Sequence, residues 1–239
     1  MPAPGLPASD GAFNITASEP VSKMKPDLSL LETEELLRLR NDESLAYDIF
    51  QCLLKRWSNG IDVKHLVDLL KSNHSPTQAY GISCLFDVDY PDDTDLNAAV
   101  EELGGDPLGW ARRAFISFVR NTLIYNDGIA HSLAACMSDY DLLVRNMALG
   151  WAVTTADERF DHVTRLVEAG TTATTFKRWQ SSELKRGLRT LSIAQLLRDG
   201  EPALKIRETV PQEDDFILDR LESFETQRQR YCKRRMTLN

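Results

Sequence analysis

No apolar run in this chain approaches the roughly 18 residues that a helix needs to cross a bilayer. The N-terminus also lacks the basic start and apolar core of a secretory signal. Cysteine is sparse: Cys52, Cys84, Cys136 and Cys232 lie far apart, with no C-x-x-C pair and no histidine at zinc-ligand spacing. Cys52, Cys84 and Cys136 sit in apolar helical runs, where a free thiol behaves as a small hydrophobe. Reduced thiols and a cytoplasmic setting are therefore expected. Base is in deficit as well: 28 Lys and Arg against 36 Asp and Glu give a formal charge of -8. That balance opposes an interface spread along a nucleic-acid backbone and suits a basic protein partner. G-x-S-x-G, P-loop, G-x-G-x-x-G and H-E-x-x-H motifs are all missing, and none of His65, His74, His131 and His162 adjoins a nucleophile motif. No catalytic group, cofactor or resident metal is expected, and no membrane partner.

Strand alternation is missing too, and helical spacing is what the chain has. Residues 1–26 are rich in Pro, Ala, Gly and Ser and read as a flexible leader. A first helix is predicted over Leu28 to Arg40 and a second over Glu43 to Trp57, whose Ile49, Phe50, Leu53, Leu54 and Trp57 form one stripe. Gly60 stops it, and Asp62 caps a helix carrying Val63, Leu66, Val67 and Leu70. Ser75-Pro76 and Asp106-Pro107 each place proline in a first turn, a helix-entrance arrangement. The most regular stretch is Ser138 to Thr155, with Leu143, Val144, Met147, Ala148, Trp151 and Ala152 at helical spacing. Residues 201–211 read as a loop, and a last helix, about Glu213 to Arg235, turns Phe216, Ile217, Leu221 and Phe224 inward before becoming basic.

Second helices of successive pairs start near 42, 75, 106 and 139, a period of about 32 residues that a threonine-rich insertion at 171–175 later stretches to about 43. A period in this range with two helices per unit marks a stack of hairpins; a non-repetitive bundle is the alternative. Asp141-Leu142-Leu143-Val144-Arg145-Asn146-Met147-Ala148 matches the Asp-x-x-Val-Arg-x-x-Ala of a second helix in HEAT-like repeat families, which the chain resembles over roughly residues 28–199. The resemblance implies an all-α, right-handed superhelical solenoid (27–199) followed by a loop and a basic C-terminal capping helix (200–239). Second helices would line its concave surface. Such a scaffold serves adaptors and immunity proteins that neutralise a partner, and the leading expectation is a non-catalytic protein-binding module. Ala148-Leu149-Gly150-Trp151 is in addition similar to a segment of HEAT-like alkylpurine DNA glycosylases. In that family a tryptophan-aspartate pair and an arginine carry base excision, whereas Trp110 is followed here by Ala-Arg-Arg.

Four features are candidate partner contacts. The connection containing Asp89, Asp92 and Asp93 reads as a solvated capping loop or an acidic docking surface; it lacks the central Gly and closing Glu of a calcium loop. Arg112, Arg113 and Arg145, with Arg120, fall on second helices, where they pair locally or grip carboxylates or phosphates. Trp179, in Phe176-Lys177-Arg178-Trp179, is an aromatic among basic residues, a pattern suited to an interface anchor. The tail bases Arg228, Arg230, Lys233, Arg234 and Arg235 either cap the last helix dipole or meet an anionic surface.

Overall fold

Polar residues set just ahead of apolar stripes cap several of the helices. Asp93 accepts the Leu96 N–H (2.8 Å), Asn126 that of Ile129 (2.8 Å), and Asp141 that of Leu143 (2.8 Å), each satisfying a donor that the first helical turn leaves orphaned. The structure, a computed structural model, describes residues 27–86, 89–122, 124–170, 180–209, 217 and 219–238. Among these residues the fold is all-helical, with twelve α-helices and no strand. They are α1 (Thr33–Leu39), α2 (Ala46–Ser58), α3 (Val63–Leu70), α4 (Ser75–Ser83), α5 (Thr94–Leu103) and α6 (Gly109–Asn121). Then follow α7 (Asp127–Ser138), α8 (Leu142–Thr154), α9 (Asp157–Glu168), α10 (Gln180–Arg198), α11 (Ala203–Thr209) and α12 (Leu221–Leu238). None is long and apolar enough to cross a membrane. The expected leader (1–26), the threonine insertion, Phe216 and Trp179 lie outside the described residues.

Helix pairing follows two rows. The pairs α3–α4, α5–α6 and α7–α8 pack as hairpins; α3 also packs on α5, α5 on α7 and α7 on α9, while α4 packs on α6 and α6 on α8. Helix α10 covers α7, α8 and α9, and α12 lies against α8, α10 and α11. The apolar stripes of both rows merge into one core, in which Leu66, Ile82, Leu96, Phe115, Leu133, Leu149 and Val163 are wholly buried. Helix α8 is the most enclosed, with Trp151 only 2% exposed.

Several boundaries differ from the sequence expectation. Helix α2 starts at Ala46 rather than Glu43, and α6 starts at Gly109, with Pro107 ahead of its N-cap Leu108. Helix α12 runs Leu221–Leu238 rather than from about Glu213 to Arg235. The first predicted helix is split: a 3₁₀ turn, Leu28–Leu30, ends at Leu31, and a capping box between Glu32 and Glu35 starts α1 afresh. The expected loop 201–211 contains α11, entered through Pro202, whose missing N–H costs a first helical turn nothing. Trp110 is half-buried, at the start of α6.

Close approach between α3 and α4 depends on Gly81. A Cβ there would stand 2.8 Å from Leu69 Cβ and 3.1 Å from the Leu69 and Leu70 backbone, which cannot yield. Gly81→Ala is expected to cost about 1–3 kcal/mol in urea unfolding. Gly105→Ala, whose nearest contact would be 4.0 Å away, should stay within about 0.5 kcal/mol.

Candidate functional site

At the hairpin turns one small device recurs. Asp106 Oδ1 accepts the Leu108 N–H (2.7 Å), and Asp139 Oδ1 accepts the Asp141 N–H (2.8 Å). Six residues on, Arg112 Nη1 donates back to the Asp106 carbonyl (2.5 Å), and Arg145 Nη1 donates back to the Asp139 carbonyl (2.5 Å). Asp42 and Ser72 make the same two-residue turn at the two earlier entrances, accepting the Ser44 N–H (3.0 Å) and the His74 N–H (3.2 Å). Asp139 joins adjacent units: its Oδ2 takes Arg112 Nε (2.6 Å) and its Oδ1 takes Arg112 Nη2 (3.1 Å). Both side chains are under a tenth exposed. Burial works against the Arg112 cation, yet the Asp139 carboxylate more than compensates and holds its pKa above the ordinary value.

Above this ion pair lies an apolar edge. Tyr140 is 73% exposed and takes the Arg112 guanidinium 5.5 Å from its ring centroid; Leu108 is 47% exposed, and Leu142 and Leu143 are 39% each. The turns touch, since a Cβ on Gly109 would collide with Asp141 Oδ2. The Asp106 and Asp141 carboxylates therefore rim a patch of three leucines and a tyrosine that is anchored from below.

The other sequence candidates fall elsewhere. Asp89 and Asp92 are exposed at the far end of the hairpins, Asp92 accepting from Asn97 Nδ2 (2.9 Å), while half-buried Asp93 is the α5 N-cap. The ten residues of α5 separate them from the turn edge by about 15 Å. Arg112 and Arg145 meet around Asp139 with their guanidiniums turned inward, at 7% and 4% exposure. Arg113 is half-buried, and its Nε has no hydrogen-bond partner. Asp139, Tyr140 and Leu108 escaped sequence reasoning. The available signal was the 33-residue echo of Asp106 and Arg112 in Asp139 and Arg145.

Helices α4, α6 and α8 contain no Asp or Glu; their only charges are Arg112, Arg113, Arg120 and Arg145. Each of α3, α5, α7 and α9 carries carboxylates. At the C-terminal end of α8, Arg198 Nη1 donates to the Ala152 (2.6 Å) and Thr155 (3.1 Å) carbonyls, and Arg228 Nη1 donates to Val153 (3.2 Å). These bonds pin α10 and α12 to the negative end of the helix dipole. Burial and the neighbouring Arg228 cation lower the pKa of Arg198. Among the described residues no group of His, Cys, Asp and Glu could hold a metal ion.

Asp139→Ala leaves the Arg112 charge buried and unpaired, so it is expected to cost about 3–5 kcal/mol in chemical denaturation. Asp139→Asn, which keeps an acceptor, should fall between it and wild type. Burial pushes the Cys84 thiol up to about 12 and raises Cys136 as well. A maleimide at pH 8 should therefore label half-buried Cys52 and Cys232 readily, and Cys84 and Cys136 only on unfolding. Compared with protein-family models, with curated proteins and with solved structures, the chain matches none.

Proposed function

We propose that the two helix rows are a right-handed, HEAT-like solenoid and that the chain is a non-catalytic protein-binding module, an adaptor that docks a partner on its turn edge. The observation that carries this reading is the exposed apolar edge of Leu108, Tyr140, Leu142 and Leu143 over the buried Arg112–Asp139 pair. An aromatic already held by a cation at its face loses little side-chain entropy on binding, the property of an interface anchor. Carboxylates at the rim (Asp106, Asp141) favour a partner whose apolar contact is flanked by Lys or Arg.

Base excision is the second reading, and it is less well supported. The resemblance to alkylpurine glycosylases implies a carboxylate beside a tryptophan on a second helix, and α4, α6 and α8 carry none.

The test is affinity capture on the immobilised full chain, with wild type compared against Leu108→Ser/Tyr140→Ser. Both positions are exposed, so the variant should melt with wild type. A directly cross-linked partner should be retained by wild type and weakened at least about 30-fold in the variant, the loss of about 2 kcal/mol typical of an anchor. Equal retention by the two proteins, or none by wild type, defeats the proposal. Salt-sensitive gel shift of alkylated duplex would move the balance to base excision.

A further inference from the structure

The turn edge is small. The exposed parts of Leu108, Tyr140, Leu142 and Leu143 come to about two whole side chains, or roughly 400 Å² at about 200 Å² for an aromatic one. A folded partner covers about 800 Å² on each side of a standard interface, whereas a patch of about 300–600 Å² is the size that monomers use for smaller contacts. The edge is also continuous and held in place. Gly109 and Asp141 bring the two turns into contact, and the Arg112 guanidinium lies against Tyr140. Its rim has spare acceptors. Asp106 Oδ1 takes the Leu108 N–H, and Asp141 Oδ1 takes the N–H groups of Leu143 and Val144. The Oδ2 atom of each accepts no hydrogen bond among the described residues.

Resting on the adaptor reading, we infer that this edge takes a short extended segment of a partner protein, with two aliphatic side chains set among lysines or arginines. Packed helices lie about 8–10 Å apart, a gap that a polyproline-type extended chain crosses in three residues, or about 9 Å. Three residues also complete one turn of such a chain, so side chains at i and i+3 fall on one face. They match Leu108 on one turn and Tyr140 with Leu142 on the next. The Oδ2 atoms of Asp106 and Asp141 then accept from ammonium or guanidinium groups at neighbouring positions, in bonds that charge strengthens. A second copy of this chain is a poor occupant, since edge against edge would set Asp106 and Asp141 beside like carboxylates. Because the edge is ordered before binding, the entropic cost falls on the segment alone, which suits a short one.

The test uses the full chain and three short labelled peptides in fluorescence anisotropy. One has leucines at i and i+3 among lysines and arginines, one has serine in place of the leucines, and one has glutamine in place of the bases. The first should bind saturably and at least about tenfold more tightly than either control, and Tyr140→Ser should weaken it by a similar factor. Asp106→Asn and Asp141→Asn keep the oxygen that accepts the turn and cap N–H groups. Each should weaken the peptide by roughly threefold, a difference that closes at high salt. Absence of saturable binding, equal binding of either control, or an affinity unchanged by Tyr140→Ser or by both asparagine variants overturns the inference. A dimer in sedimentation that Tyr140→Ser dissolves overturns it as well. A cross-linked partner that Tyr140→Ser releases while the peptide stays unbound defeats the short-segment inference alone and leaves the adaptor reading standing.

Discussion

The carboxylate of Asp139 is the constraint on which the second half of the molecule depends. Burying an ion pair is favourable only when nearly every donor and acceptor is satisfied. Here three bonds converge on the two oxygens: Arg112 Nε and Nη2 from the neighbouring hairpin, and the Asp141 N–H from its own turn. Arg112 is spoken for at the same time by the Asp106 carbonyl. A slip of one residue in either turn would leave a buried charge unpaired, so the pair sets the register of α6 against α8. Everything that uses that register follows from it, from the burial of α8 to the pose of Tyr140 above Arg112.

This arrangement also explains why the arginines most conspicuous on the second helices are poor candidates for gripping a partner. Arg112 and Arg145 are turned inward to hold turns, and the same residue type one position on, Arg113, faces the other way. A helix rotates by 100° per residue, so neighbours in sequence take opposite roles. In the reading proposed above, recognition falls instead to residues that the turns hold in place without using, Tyr140 and Leu108.

How much of this could be read in the chain beforehand depended on how local the cause was. Helical character, the entrance at Ser75-Pro76 and the inward Leu221 and Phe224 are local matters of spacing and capping, and they were legible. Pro107, expected in a first turn, instead precedes the α6 N-cap Leu108. The turns at Asp42, Ser72, Asp106 and Asp139 share one local cause, a two-residue turn on a side-chain oxygen, but Ser72 and Asp139 were not singled out in the sequence. The split at Leu31 and the helix after Pro202 were missed because competing local signals, a capping box and a proline, are individually ambiguous. The Arg112–Asp139 pair was illegible for another reason. Its partners are 27 residues apart in sequence, and only the stacking of α6 on α8 brings them together. Exposure of Tyr140 and Leu108 is likewise a property of the folded edge, since the same residues inside a stripe would read as core.

Net charge is the quantity that most misleads when read from composition, and helix geometry explains why. First-row helices α3, α5, α7 and α9 run in one sense, so their N-termini share one end of the hairpins. The helix dipole there favours the acids Asp62, Asp93, Asp127 and Asp157, and Asp93 also accepts an orphaned N–H. Second-row helices begin at the opposite end, where Asp106, Asp139 and Asp141 are already engaged with backbone N–H groups or arginine. Their remaining length carries no carboxylate at all. Capping thus places part of the acid at one end and on one row, while the only charges within α4, α6 and α8 are arginines. A partner approaching this protein meets a local potential set by which row and which end it faces rather than by the total of -8.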